Sequence, residues 1–125
     1  MNPDDFTIDC TGDVVTGDTI FWTEAVFGGN YRKPKYLGER RVIAQVVADS
    51  YGAAKQQHTF SVEVLWSDGE QPLKVGTRTR RKGRNIYREW TMRRVWDDES
   101  ARRSAADEKH RRGSVARTRR EERRL

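Results

Sequence analysis

The amino-acid sequence predicts a mainly β protein, a small antiparallel β-barrel or sandwich followed by a basic C-terminal helix and tail. Two observations lead to this fold class. Five or six short segments rich in β-branched and aromatic residues recur between about residues 13 and 96, and Gly, Asp and Asn turn signals separate them. That spacing is typical of barrels of SH3-like, OB-like or PUA-like size, among which the sequence does not choose. We therefore divide the chain into an N-terminal arm (1–12), a small β domain (13–96) and a C-terminal extension (97–125).

The first strong strand is Asp18–Phe27. Ile20 and Trp22 fall on one of its faces, and Phe21 falls on the other. Two apolar faces predict a strand that is covered on both sides, at the centre of a sheet or in a closed barrel. Glu24 lies on the same face as Trp22. Because an unpaired buried carboxylate is costly, we interpret Glu24 as a rim residue or an arginine partner.

The segments that follow alternate between predicted loops and strands. His58–Trp66 has the clearest two-residue period, which places Phe60, Val62, Val64 and Trp66 on the inner face. The other assignments are a loop at Gly28–Gly38, a strand at Glu39–Asp49, a turn at Ser50–Gln57 and a short strand at Gln71–Val75 that contains Pro72.

The stretch Lys74–Trp96 carries nine basic residues against one acid, a net charge of +8. Hydroxyl and guanidinium side chains alternate from Thr77 to Arg80, as on a strand with two different faces. Turn chemistry follows at Lys82–Asn85, where Gly83 tolerates a positive φ. This stretch is therefore predicted to form a basic β-hairpin, with aromatic residues on its far side.

The chain changes character after Trp96. Asp97 and Asp98 suit a helix N-cap, and the alanine-containing segment Ser100–Arg112 predicts a helix that stops at Gly113. Its apolar residues are alanines, so it buries little surface by itself. The arginine-rich tail Ser114–Leu125 fits equally a segment that folds on RNA or DNA and a disordered end.

Charge is strongly segregated along the 125-residue chain, whose net charge is +6. Residues 1–73 hold six basic residues against eleven acids, whereas residues 100–125 hold ten against four. A concentrated basic region predicts a nucleic-acid partner, DNA or RNA, bound mainly through phosphates with some aromatic stacking. The predicted contact residues are Tyr31, Arg32, Lys33, Lys35, Tyr36, Arg78, Arg80, Arg81, Lys82, Arg84, Tyr87, Arg88, Arg93, Arg94, Arg111, Arg112, Arg117, Arg119 and Arg120.

The sequence offers no catalytic constellation, so we expect no enzymatic activity and no cofactor. Its histidines, His58 and His110, stand apart from a nucleophile, and neither GxxxxGKS nor GxGxxG occurs. Cys10 is the only cysteine, which excludes an internal disulfide and a cysteine-rich zinc site. The acidic N-terminus and the lack of a long apolar run lead us to expect a cytoplasmic protein that does not contact a membrane. Association with the nucleoid is compatible with this expectation.

A second function fits the same observations. The basic face could dock on an acidic protein or nucleoprotein complex, as a small regulator of phage or plasmid type would do. The sequence leaves open DNA or RNA, single or double strand, the oligomeric state and the order of the tail.

Overall fold

A computed structural model describes the backbone of residues 1–52 and 57–124, and the side chains of residues 1–52 and 58–113. The chain forms one antiparallel sheet of six strands in the order β1-β6-β2-β3-β4-β5. The prediction of a mainly β chain is therefore confirmed. Within the described residues no pairing joins the edge strands β1 and β5, so the sheet is not closed into a barrel.

The strands are β1 (Ile8–Asp9), β2 (Thr19–Gly29), β3 (Pro34–Gly52), β4 (Gln57–Gly69), β5 (Arg78–Lys82) and β6 (Met92–Arg93). A 3-10 turn covers Pro3–Asp5, a one-turn helix α1 covers Gly83–Ile86, and helix α2 covers Glu99–Arg124. No helix of this described part is long and apolar enough to cross a membrane.

Several sequence boundaries were wrong. The predicted loop 28–38 is mostly strand, because β2 and β3 continue to within four residues of each other. The predicted strand Gln71–Val75 is not a strand, and α2 continues through Gly113. The predicted turn at Ser50–Gln57 overlaps residues 53–56, which lie outside the described residues.

The main core lies on one face of the sheet. Phe60, Val62 and Val64 of β4 are fully buried there, as the two-residue period predicted. They pack with Ile20, Trp22, Val42, Ala44 and Val46 from β2 and β3. Ile86 of α1 covers them and is itself fully buried, so α1 acts as a lid on this core.

A second, smaller cluster covers the opposite face. Phe21, Ile43 and Trp66 are cross-strand neighbours, and Phe6 of the N-terminal arm packs on Phe21 with ring centroids 6.3 Å apart. The Arg41 guanidinium lies 5.2 Å from the centre of the Trp66 ring. The prediction that Trp66 faces the main core was wrong, because an irregularity in the β3–β4 register between Ile43 and Ala44 breaks the alternation.

The predicted basic hairpin does not form. β5 pairs with β4, and the predicted turn at Lys82–Asn85 instead leads into α1, where the Tyr87 N–H bonds the Gly83 carbonyl at 2.8 Å. The chain then runs over the sheet toward the edge opposite β5, where β6 pairs with β1 and β2. The reason is hydrophobic: Ile86 is buried in the core, which draws the segment after Lys82 across the sheet.

Helix α2 is attached by buried polar side chains. Arg102 bonds the fully buried Asp18 carboxylate at 2.8 and 3.0 Å. Lys109 donates to the Val14 carbonyl at 2.5 Å and lies 5.4 Å from the centre of the Phe60 ring. Long cationic side chains thus perform the anchoring that alanines alone could not.

Candidate nucleic-acid interface

A groove of about 350 Å³ lies beside the open edge of β2. β6 pairs with β2 only at Ile20 and Phe21, so beyond Phe21 that edge has no strand partner in the described part of the chain. The segment Asn85–Glu89 lies across from it. We call this space the β2 groove; it is lined by residues 23–25, Phe27, Arg40, Arg81, Asn85, Arg88 and Glu89.

The floor of the β2 groove is a network around Glu24. One carboxylate oxygen accepts from Trp22 Nε1 at 2.8 Å and Arg81 Nε at 2.9 Å. The other accepts from Arg40 Nε at 2.9 Å and Nη2 at 2.5 Å, and from Arg81 Nη2 at 3.1 Å. The interpretation of Glu24 as an arginine partner is therefore confirmed.

Two arginines around one carboxylate leave this floor with a net positive charge. Burial raises the pKa of Glu24, but hydrogen bonds from Arg81, Trp22 and Arg40 outweigh burial and lower the pKa to about 2. Glu24 is thus ionised at neutral pH, and its side chain is only 11% exposed. The network holds the side chains of Trp22, Arg40 and Arg81 in place around Glu24. Both oxygens of the Glu24 carboxylate accept hydrogen bonds from these side chains.

The rim of the β2 groove is polar on one side and aromatic on the other. Asn85, Arg88 and Glu89 are exposed, and none of their side chains has a hydrogen-bond partner among the described residues. Phe27 is 57% exposed and packs edge-on against Tyr36, with ring centroids 5.8 Å apart. Free polar groups opposite an aromatic wall are a typical arrangement for a planar ligand.

The turn that joins β2 to β3 carries a cluster of cations and an exposed ring. The Asn30 side chain accepts from the backbone N–H groups of Arg32 and Lys33 at 3.0 and 2.9 Å. Gly29 has φ +75°, and a Cβ there would lie 2.5 Å from the Lys33 carbonyl oxygen, so the turn requires glycine. Tyr31 is 96% exposed. The hairpin tip, residues 27–36, therefore presents Phe27, Tyr31, Tyr36, Arg32, Lys33 and Lys35 to solvent.

Three predicted contact residues of the basic stretch are engaged with carboxylates. Arg81 belongs to the groove floor, Arg93 is buried and bonds Glu99 at 2.8 and 3.0 Å, and Arg78 lies 3.3 Å from Glu63. Arg80, Lys82, Arg84, Arg88 and Arg94 have no carboxylate within ion-pair distance in the described part. The free charge on this stretch is therefore smaller than the sequence suggested.

Predicted contact residues on α2 are only partly described. Arg111 pairs with Glu108 one turn earlier, and Arg112 lies 3.3 Å from Asp49. The side chains of Arg117, Arg119 and Arg120 lie outside the described residues. The Arg111 and Arg112 side chains are 72% and 50% exposed.

Tyr87, predicted to stack on bases, is instead partly buried against the main core. Its hydroxyl accepts from the Val14 N–H at 3.0 Å, and its ring meets Phe60 edge-on at 6.1 Å. Burial raises the pKa of Tyr87 well above its ordinary value, while the hydrogen bond from Val14 opposes that shift. The ring is therefore only partly exposed, and these two contacts hold it against the core.

Tyr87→Phe should accordingly reduce stability rather than binding. The change leaves the Val14 N–H without its acceptor, which costs about 1–3 kcal/mol. Urea unfolding would measure the loss. Tyr31→Phe is the matched control, since the Tyr31 ring is exposed, and it should leave the unfolding midpoint in place. Equal midpoints for both variants would contradict the packed role of the Tyr87 hydroxyl.

Sequence reasoning missed several groove residues. Arg40, Asn85, Glu89 and Phe27 were not candidates, although all four line the β2 groove. Phe27 could have been found, because it directly precedes a basic and aromatic loop. Asn85 and Glu89 carried no signal, because their position depends on α1 packing beside a strand far away in sequence.

Residues 10–96 match a family model described as a domain of unknown function, DUF7699. The chain is also 39% identical over 121 residues to the zinc finger CCCH domain-containing protein 62 of Oryza sativa subsp. japonica. That alignment takes in 93% of this chain and 17% of the rice protein. A CCCH finger takes three cysteines, and this chain has one. No group of three His, Cys, Asp or Glu side chains in the described part could hold a metal, and no solved structure matches. On the family match, the chain belongs to the DUF7699 family.

Proposed function

We propose that this protein binds nucleic acid through the hairpin tip and the β2 groove, using phosphate contacts and aromatic stacking. The observation that carries the proposal is the combination at the tip of three exposed aromatic residues with three cations. Arg32, Lys33 and Lys35 have no carboxylate partner among the described residues, and Phe27, Tyr31 and Tyr36 are all more than half exposed. Cations interleaved with rings suit a phosphate backbone whose bases stack on the protein.

A further set of cations extends this surface along the other wall of the groove. Arg88 lines the groove, and Arg84 and Lys82 precede it on the exposed side of α1 and β5. A nucleic-acid strand bound in the β2 groove would therefore lie between positively charged side chains on both sides. Such contacts give affinity that depends strongly on salt and only weakly on sequence.

An acidic protein surface is the second candidate partner. β5 is an edge strand whose Arg78, Arg80 and Lys82 side chains are exposed, which favours a negatively charged neighbour. Trp90 is also 74% exposed, and exposed tryptophans are enriched in protein interfaces. The groove favours nucleic acid, because its free polar groups face an aromatic wall rather than a flat apolar patch.

The cations of the hairpin tip should contribute to the salt dependence of nucleic-acid binding. Arg32→Gln combined with Lys33→Gln removes two phosphate contacts, so the slope of log K against log salt on a single strand should flatten by about 1.4. Fluorescence anisotropy with short labelled DNA and RNA, single- and double-stranded, would measure it.

The matched control for that measurement is Lys74→Gln combined with Arg103→Gln, which removes the same charge from exposed positions away from the groove. It should change the slope much less. Failure of the unmodified protein to bind any strand at low salt would refute the proposed function. If the slope flattened equally in both double variants, the hairpin tip would not be part of the interface.

A further inference from the structure

We propose that the β2 groove selects an unpaired guanine from a single strand. This inference rests on the proposed function and names its ligand. Sequence-selective recognition needs groups that read the edge of a base, and phosphate contacts supply none. The rim of the groove has three such groups, Asn85, Arg88 and Glu89, whose side chains make no hydrogen bond within the described residues.

The size of the groove favours one base. Its volume of about 350 Å³ is at the lower end of ligand pockets, which run from roughly 300 to 1,000 Å³. A base in a duplex hides its Watson–Crick edge, whereas a base in a single strand presents that edge to side chains. The groove is therefore matched to a single, unstacked base.

The aromatic wall gives that base a surface on which to stack. Phe27 lines the groove, and the edge-on contact with Tyr36 fixes the orientation of its ring. Every base can stack on a phenylalanine ring, so this wall contributes to affinity but does not discriminate between bases. Any choice between bases must come from the polar rim.

Glu89 is the group that makes the choice. The Glu24 carboxylate is occupied by Trp22, Arg40 and Arg81, so Glu89 supplies the free carboxylate among the described groove residues. An ionised carboxylate only accepts hydrogen bonds, and its two oxygens suit two adjacent donors. The lone pairs of a ring nitrogen or carbonyl beside a single donor would repel it.

Guanine alone has that pair of donors on its Watson–Crick edge, at N1–H and the N2 amino group. Adenine and cytosine each place a ring-nitrogen acceptor beside their amino group, and uracil places carbonyls on both sides of its single N–H. Guanine O6 lies next to N1 and needs a donor, which the Asn85 amide or the Arg88 guanidinium can supply. The rim thus matches guanine in both donor and acceptor pattern.

The test compares eight-nucleotide uridine or thymidine strands that carry one central guanine, adenine, cytosine or inosine. Inosine lacks the N2 amino group and so removes one of the two proposed donors. Anisotropy should show about tenfold tighter binding of the guanine strand than of the adenine strand, as expected for one bidentate contact. Inosine should fall between them.

Two variants separate selectivity from affinity. Glu89→Gln should reduce the preference for the guanine strand over the other strands about tenfold, because one acceptor oxygen becomes a donor and no longer repels the other bases. Phe27→Ala should weaken the binding of all the strands by a similar factor. Glu70→Gln is the matched control, since Glu70 is exposed and does not line the groove, and it should alter neither.

The outcomes distinguish this inference from the function beneath it. Guanine preference that disappears only in Glu89→Gln supports the proposal. Binding of all four strands with equal affinity overturns guanine selection and leaves nucleic-acid binding standing. Absence of binding to every strand refutes the proposed function and this inference together.

Discussion

Replacing Glu24 with alanine should lower the free energy of unfolding by about 3–5 kcal/mol, the usual loss when one partner of a buried charge network is removed. The Glu24 side chain is 11% exposed, and those of Arg40 and Arg81 are 14% and 19% exposed. Without the carboxylate the two guanidiniums face each other across the groove floor with no anion between them. Trp22 Nε1 also loses its acceptor.

Urea unfolding followed by tryptophan fluorescence would measure this loss. Glu63→Ala is the matched control, since Glu63 also pairs with an arginine of β5 but the Arg78 side chain is 72% exposed. An exposed pair contributes about 0–1 kcal/mol, so the control should change little. Similar losses in both variants would show that burial does not strengthen the Glu24 network.

The pH dependence of stability provides a second readout of Glu24. Its pKa is about 2 in the folded protein, below the ordinary 4.5 of the unfolded chain. The unfolded state therefore binds the proton more readily, and the stabilisation is fully present above about pH 4.5 and is lost as the pH falls toward 2. The difference in stability between the unmodified protein and Glu24→Ala should shrink over that range. A constant difference would contradict the depressed pKa.

Local patterns predicted the parts of the fold that depend on neighbouring residues in sequence. The alternation in β4 placed Phe60, Val62 and Val64 correctly, because burial on one face imposes a two-residue period. The position of Glu24 on an apolar face indicated a rim residue or an arginine partner, and the structure shows the arginine partners. Such inferences need only the cost of exposing an apolar side chain to water and the cost of burying a charge without a partner.

The errors arose where contacts distant in sequence decided the structure. The alternation of Thr and Arg before Gly83 suited a hairpin, but burial of Ile86 beneath β4 and β2 favoured α1 instead. The sequence also could not show that Arg81 meets Glu24, 57 residues away, or that Arg93 is buried where it meets Glu99. Net charge over a segment therefore overestimated the cations that are free to bind a partner.

Asp18→Asn should lower the free energy of unfolding by about 3–5 kcal/mol and release α2 from the sheet. Asp18 is fully buried, and its carboxylate accepts from Arg102, from Trp96 Nε1 at 2.7 Å and from the Val15 N–H at 3.0 Å. Asparagine has nearly the same shape, so the change removes the charge and leaves Arg102 buried without its anion. α2 has few apolar residues to compensate.

The release of α2 can be separated from global unfolding by amide hydrogen exchange. Amides of α2 near Lys109 should lose protection in Asp18→Asn before amides near Val62 in the buried part of β4. Asp68→Asn is the matched control, since Asp68 pairs with Arg41 at an exposed site, and it should leave both regions protected. Arg102→Met added to Asp18→Asn should restore part of the lost stability, because no buried charge then remains at this contact. If the double variant were less stable than Asp18→Asn alone, then packing of the Arg102 stem, rather than its charge, would be what attaches α2 to the sheet.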